Sequence, residues 1–463
     1  MDTEFDPKAL SIDGQLDWLF EGTYFADEGS ADVERQIADM SREFARLHNR
    51  MVSGEATSEE QTERHLLGEA IDQLKKQLED QGKSLGSAAV SATSGLRAQM
   101  REELKRKLEK SAASGVPLRI YIGVDPTRTS LHIGHMVPVV QLRKFQALGH
   151  TVIFLIGDYT ATVGDPSGQS SEREALSHER VLELAEFYQD QAFRLLDREQ
   201  TEIRYNGEWL SRLSFNETAE LAAQFPLGQV IARQDFRNRL ESGAGVRLHE
   251  CLYMLMQGYD AYALNCDVQV GGYDQHFNLL AGRILQKHFA EKLKGKGDHP
   301  LYPGQPVKGP HVMMTYPLLM GTDGRKMSKS WGNTIDVLDE PHDIYGKVMR
   351  IADEMIPHYI DIAVEARQAL KEQWKQKAAD DPMGVKKWVA HSITALFCGD
   401  EAAQAAAEHF QRTVQDKQVG EEDAPEAIVP QEFQYANVRL ADLIVALALA
   451  PSKKEAQRLM EQG

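Results

Sequence analysis

Cysteine is scarce in this chain of 463 residues: Cys251, Cys266 and Cys398 are the whole supply, with no CxxC spacing and an odd total. That excludes a disulfide framework and a cysteine zinc site, and it fits a reducing compartment. Long apolar runs are missing too, since no stretch reaches the roughly eighteen uncharged apolar residues that a membrane helix needs. The N-terminus, MDTEFDPKAL, carries no basic segment ahead of an apolar core. Neither export nor membrane spanning is expected, and the cytoplasm is the expected location. Positive charge is in deficit: 52 Lys and Arg against 70 Asp and Glu leave a formal charge of −18. A surface generally attractive to DNA or an anionic membrane is therefore excluded, and any contact with nucleic acid must be a local patch. With 42% hydrophobic and 26% charged residues, what remains is a folded globular chain of several domains.

The negative charge is concentrated. Residues 1–99 hold twenty Asp and Glu against ten Lys and Arg, so they supply −10 of the −18. Within them Val33, Ile37, Met40, Phe44, Leu47 and Met51 recur at alternating steps of four and three, and Leu67, Ile71, Leu74 and Leu78 repeat the pattern. Two helices in an antiparallel hairpin, or two stripes packed on a main domain, account for that spacing. The small-residue stretch GKSLGSAAVSATSG, residues 82–95, reads as a connector.

Beyond it the period changes. Met100, Leu104 and Leu108 predict a helix in REELKRKLEKS, and PLRIYIGVDP, TVIFLIGD, DVQVGG and HVMMTYPLLM predict buried strands separated by helices. The centre is expected to be α/β with a parallel, Rossmann-like sheet, and the pattern past residue 335 is helical.

Two motifs carry chemistry. TSLHIGH, Thr129 to His135, follows a strand and opens a helix, with Thr129 or Ser130 as the expected cap. His132 and His135 then share its first turn, where free N–H groups and the helix dipole favour anions, and Gly134 leaves room for a flat ligand. A metal pair or a purely structural pair would use the same residues. GTDGRKMSKS, residues 321–330, places Lys326, Met327, Ser328, Lys329 and Ser330 in a glycine-containing loop that can close over a polyphosphate, or else stand as a solvated basic loop. A third feature lies in HECLYMLMQGYDAYAL, where Tyr253, Gln257 and Asp260 at i, i+4 and i+7 form a polar stripe on an apolar helix. Such groups face either a polar ligand or partners in the core.

HIGH and KMSKS, in that order and about 190 residues apart, resemble the two signatures of class I aminoacyl-tRNA synthetases. Together with IGDYTATVGDPSG, LYMLMQGYD and VQVGGYDQHFN, they make residues 97–431 similar to bacterial tyrosyl-tRNA synthetases. The resemblance implies that Tyr121 and Asp260 hold the phenol hydroxyl of L-tyrosine and that Asp165, Tyr253 and Gln257 hold its ammonium, with Asn206 and Gln275 also in the pocket. It implies ATP contacts at Gly123, Asp125, His132, Gly134, His135, Gly272, Asp274 and the KMSKS residues Lys326, Met327, Ser328, Lys329 and Ser330. His132, His135, Thr127, Lys326 and Lys329 are the expected charge-stabilising residues, with Mg²⁺ riding on ATP and no zinc. Tyr273 stands where the family more often has a small residue. The expected partner is tRNA(Tyr) and the expected state a homodimer, with neither DNA nor membrane as a partner. Expected domains are an N-terminal segment over 1–96 with a hairpin insertion near 30–95, and a catalytic domain over 97–335 with a connective region near 180–250. An anticodon-arm domain over 336–430 and an incomplete RNA-binding module over 431–463 follow. Basic clusters at 101–107 and 286–297, Lys386, Lys387 and PSKKEAQR are the candidates for phosphate contact. A tryptophanyl-type synthetase, and an idle paralogue that only binds RNA, are the competing readings.

Overall fold

Five short strands form one sheet: β1 (Arg119–Val124), β2 (Thr151–Ile156), β3 (Thr201–Tyr205), β4 (Val268–Gly272) and β5 (Val312–Tyr316). The structure is a computed structural model, and it describes residues 6–25, 57, 64, 95–167, 176–231, 233–243, 245–325, 327, 331–416, 438–447, 449–450 and 452–462. The hairpin stripes, most of the small-residue connector, Lys326 and residues 328–330 lie outside the described residues.

All neighbouring strands are parallel, in the order β3-β2-β1-β4-β5. β1, β2, β4 and β5 are apolar runs because helices cover both faces of a parallel sheet, and β5 is buried throughout. β3, absent from the expectations above, is the sequence TEIRY; it is only half-buried and sits at the sheet edge, so it lacks the apolar run that marks the others.

The helices that position the site are α1 (Ile12–Phe20), α2 (Leu96–Ser114), α3 (Ile133–Ala147), α4 (His178–Ala192), α5 (Leu248–Ala263) and α6 (His276–Lys292). α2 buries Met100, Leu104 and Leu108, as their spacing predicts, and ends at Gly115 with a φ of 69°, a conformation cheap only for glycine. Arg101 and Lys105 of α2 pair with Asp17 and Asp13 of α1 at 2.7 and 2.9 Å.

The chain leaves β1 toward β2 on one side, while β4 lies on the other. The crevice at the carboxyl ends of β1 and β4 is thus the switch point where open α/β sheets bind ligands. After β5 come α7 (Pro341–Met349), the helices Ile356–Ile362 and Gln368–Lys377, and α8 (Pro382–Cys398). These belong with the sheet to a compact unit, Met1–Gln404; a second unit, Ala405–Gly463, contains the helices Leu440–Ala446 and Lys453–Gln462, packed through Ala441, Ala450 and Ala456.

Candidate active site

The switch-point crevice has an apolar floor with few polar groups. Tyr121 in β1 is fully buried in a cluster with Ile153, Leu155, Trp209, Ala261 and Cys266. Its Oη has no hydrogen-bond partner among the described residues. Burial, with Cys266 and Asp260 adding to it, pushes its pKa well up, so the hydroxyl is a neutral phenol able to donate and accept.

Asp260, 2% exposed, comes from α5. It accepts from Trp209 Nε1 at 2.7 Å and from Asn206 Nδ2 at 3.2 Å. Burial still pushes its pKa well above the usual carboxylate range. Asn206, directly after β3, also donates to Thr160 Oγ1 at 3.0 Å and accepts from the Tyr159 amide at 3.0 Å.

A second cluster sits beside it. Asp125, just past β1, accepts from Tyr253 Oη at 2.9 Å and from Thr160 Oγ1 at 2.7 Å. Gly157 is obligatory here, because a Cβ on it would lie 2.0 Å from Asp125 Oδ1. Asp165 accepts from the Ser167 amide and from Gln275 Nε2, both at 2.9 Å. Gln275 is held in turn by Asn278, and Asn278 by Arg233, at 2.9 and 3.0 Å. Gln257 Oε1 is buried without a partner among the described residues. The carboxylates Asp125, Asp165 and Asp260 all act on Tyr253, raising its pKa beyond the effect of burial. A pocket so rich in acceptors favours a cation, and its inner end offers a hydroxyl and a carboxyl to a polar group.

The other side of the crevice is lined by backbone. α3 begins one turn later than Thr129 or Ser130 would have it: His132 is the cap, because its backbone is extended and pairs with Asp336. Its amide donates to His135 Nδ1 at 3.3 Å, and the two rings stack at 3.6 Å. A Cβ on Gly134 would lie 3.0 Å from His132 Nδ1 and 3.6 Å from Met327 Sδ. The HIGH turn and the one described residue of KMSKS are therefore neighbours, and Met327 is buried. Amide bonds from Ile133 to Ile335 O and from Val337 to Leu131 O, both 2.9 Å, fasten the segment after KMSKS to the start of α3. Thr127 neighbours Tyr188 of α4.

Gly123, the next-to-last residue of β1, is exposed, and Gly272 ends β4 where a Cβ would lie 2.6 Å from Asp274 Oδ1. Tyr273, unusual for its position, packs edge-on against Tyr24 with ring centroids 4.7 Å apart. The Tyr24 amide donates to Thr315 O at 2.7 Å, so the N-terminal segment supplies the support for the large ring. Among the described residues no group of three His, Cys, Asp or Glu is arranged to hold a metal ion.

The candidate residues Tyr121, Asn206 and Asp260 come together in one cluster, and Asp125, Asp165, Tyr253 and Gln275 in the other. Thr160, Trp209, Asn278 and Arg233 were missed by sequence reasoning. Thr160 lies within IGDYTATVGDPSG, Asn278 ends VQVGGYDQHFN and Trp209 stands three residues past Asn206 in RYNGEWL, whereas Arg233 lies in no motif.

Known proteins share this arrangement. Residues 113–415 match the family described as tRNA synthetases class I (W and Y). The tyrosine–tRNA ligase of Thermotoga maritima is 41% identical over 350 residues, covering 75% of this chain and 82% of that one. That of Chlorobaculum tepidum is 40% identical over 358 residues, covering 77% and 83%. Among solved structures, a C-terminally truncated mitochondrial tyrosyl-tRNA synthetase of Aspergillus nidulans shares the fold at a TM-score of 0.54 and 24% identity, covering 67% of this chain and 89% of its own. The parallel sheet, the histidines at its switch point and the matches over most of the chain agree, and the chain belongs to the class I tRNA synthetases of the tryptophan and tyrosine group, among the tyrosine–tRNA ligases.

Proposed function

We propose that this protein activates L-tyrosine with ATP and transfers it to tRNA(Tyr). The observation that carries the choice of tyrosine is Tyr121 Oη, buried and unpartnered beside the buried Asp260. A phenol hydroxyl satisfies both, whereas phenylalanine leaves them unpaired; tyrosyl-tRNA synthetases are themselves a standing illustration of that rule. Asp165 and Gln257, with Tyr253 held by Asp125, receive the ammonium, and Gln275 lies at the carboxylate end.

The tyrosine carboxylate attacks the α-phosphorus of ATP in line. A carboxylate oxygen to phosphorus bond forms, and the bond to the bridging oxygen breaks as pyrophosphate leaves with its Mg²⁺. No side chain needs to become a nucleophile; positioning and charge stabilisation suffice. His132, His135, Thr127, Lys326 and Lys329 do that at the phosphates, while Gly123, Gly134 and Gly272 admit the nucleotide and Asp274 takes the ribose. Met327, Ser328 and Ser330 complete the loop that closes over it. The terminal ribose hydroxyl of tRNA then attacks the tyrosyl carbonyl and releases AMP.

Exposed Phe215, Leu227 and Leu248, at 89%, 63% and 76%, support a homodimer through the connective region, to be tested by sedimentation. The cytoplasm is the proposed location. Tyrosine-dependent ATP–pyrophosphate exchange, with tryptophan and phenylalanine as controls, tests the main reading. Exchange with tyrosine alone is expected, falling about 100-fold or more in His132→Ala and Lys329→Ala. Exchange driven by tryptophan, or none at all, overturns it.

A further inference from the structure

Asp274 sits in a short 3-10 turn, Tyr273–Gln275, between the end of β4 and the start of α6. Such a turn has little hydrogen bonding of its own, here the His276 amide to Tyr273 O, so what packs on its flanks decides where Asp274 points. One flank is fixed by polar contacts. Gln275 Nε2 donates to Asp165 Oδ2 and Asn278 Nδ2 donates to Gln275 Oε1, both at 2.9 Å. The other flank is the Tyr273 ring, which meets Tyr24 edge-on at 4.7 Å and His276 at 5.9 Å.

The free edge of β5 brings Tyr24 to that place. β5 is the last strand of the sheet, and its Thr315 and Tyr316 lie opposite Gly271 and Gly272 of β4. The Tyr24 amide donates to Thr315 O at 2.7 Å, and Thr315 Oγ1 donates back to Tyr24 O. Tyr24 is thereby held at the level where β4 ends and the turn begins. The segment leading to it is fastened as well: Thr23 Oγ1 and Arg97 Nη2 donate to Phe20 O at 2.8 and 3.2 Å, and the buried Phe25 stacks on Phe20. A small residue in place of Tyr273 would leave the Tyr24 ring without this contact.

We propose that Tyr24 is a positioning residue for the ATP site, holding Asp274 toward the nucleotide ribose through the ring of Tyr273. The inference rests on the reading of Asp274 as the ribose ligand. Neither ring takes part in a chemical step; the pair fixes one flank of the turn, so that Asp274 is in place before ATP arrives. Tyrosine binding is untouched, because Gln275 keeps its own bonds to Asp165 and Asn278.

The test is pyrophosphate exchange by the full chain, with the KM for ATP and the KM for tyrosine measured separately. Tyr24→Ala is expected to raise the KM for ATP about five- to tenfold, roughly the worth of one aromatic pair, with the KM for tyrosine within about twofold of the parent. Tyr24→Phe keeps the ring and should behave as the parent. Tyr273→Ser should raise the KM for ATP similarly, and adding Tyr24→Ala to it should cost nothing further, because one residue acts through the other. Tyr273→Ser leaves the backbone bond of Tyr24 in place, so it reads the contact even where Tyr24→Ala fails to fold. An unchanged KM for ATP, a full second loss in the double variant, or equal rises in both KM values overturns the inference, while exchange by the parent still upholds the reading beneath it. A parent without exchange overturns both.

Discussion

Tyr121 and Asp260 are equally buried, yet only Asp260 has its polar atoms bonded within the protein. Their substitutions should therefore behave differently. Tyr121→Phe removes a hydroxyl that has no partner, so folding stability, read by urea unfolding, is expected to hold or rise slightly. The KM for tyrosine should rise about tenfold, the worth of one hydrogen bond, and rejection of phenylalanine should weaken. Asp260→Ala instead strands Trp209 Nε1 and Asn206 Nδ2, and should cost about 2–4 kcal/mol of stability on top of the loss in tyrosine binding. Equal stability losses in the two variants would contradict this account. The stripe of Tyr253, Gln257 and Asp260 was legible because helical spacing alone puts the three on one face. The motifs IGDYTATVGDPSG and RYNGEWL held Thr160 and Trp209, but not their bonds to Asp125, Asn206 and Asp260, which arise only when β1, β3 and α5 converge.

At the scale of elements, apolar runs made four of the five strands readable, and the half-buried edge strand β3 escaped for want of one. The start of α3 was misjudged because strand-like pairing of His132 with Asp336, a contact about 200 residues away in sequence, overrides the local capping choice at Thr129 or Ser130. The same region holds a clasp at the ends of the KMSKS segment. The Gly321 amide donates to Arg325 O at 2.7 Å, the Thr322 amide to Asn333 O at 3.1 Å, and Asn333 Nδ2 to Asp323 Oδ1 at 2.7 Å. Donors from Asn333 and Arg325 hold Asp323 down to about 2, so the clasp stays ionised at neutral pH. A Cβ on Gly321 would lie 2.3 Å from Asn333 Nδ2 and 2.8 Å from Asn333 O. Gly321→Ala must open it; the expected result is a kcat for pyrophosphate exchange lower by about tenfold with the KM for tyrosine unchanged, since only the phosphate side is displaced. A second element-level device joins β1 to β2, where the Leu118 amide donates to His150 Nδ1 at 3.4 Å. Burial lowers the pKa of His150 from 6.5 to about 4, so the folded state prefers the neutral ring. That contribution is complete above about pH 6.5 and is lost as pH falls toward about 4. Unfolding free energy should drop by about 2 kcal/mol more in the parent than in His150→Gln across that window, measured by urea titrations at each pH.

For the whole molecule, charge and partition matter more than any single contact. A chain of −18 that acts on tRNA must keep its acidic part away from the nucleic acid, and −10 of that charge lies in residues 1–99, leaving −8 for all the rest. The division of labour is sharper at the other end. Every described residue assigned to tyrosine or ATP lies in the unit Met1–Gln404, whereas Ala405–Gly463 contributes none. The described core of that second unit is small, Ala406 and the cluster of Ala441, Ala450 and Ala456 with Ile444 and Val445 against it, and the helix Lys453–Gln462 carries Lys453, Lys454 and Arg458. That helix also holds Glu455 and Glu461, and Lys453 pairs with Asp442 and Arg458 with Glu455, so its excess positive charge is a single unit; contact with phosphate is the role expected of it rather than a step at the adenylate. A chain ending after Asp416 keeps the helix Asp400–Phe410 intact and removes both later helices. Tyrosine-dependent pyrophosphate exchange in this variant should stay within about twofold of the parent, because no residue assigned to tyrosine or ATP is removed. Charging of tRNA(Tyr) should fall by about tenfold or more, through KM for tRNA, and the salt dependence of that KM should flatten as phosphate contacts disappear. Equal losses in exchange and charging would show instead that the second unit supports the fold of the first, and unchanged charging would place the tRNA contacts wholly on the catalytic unit.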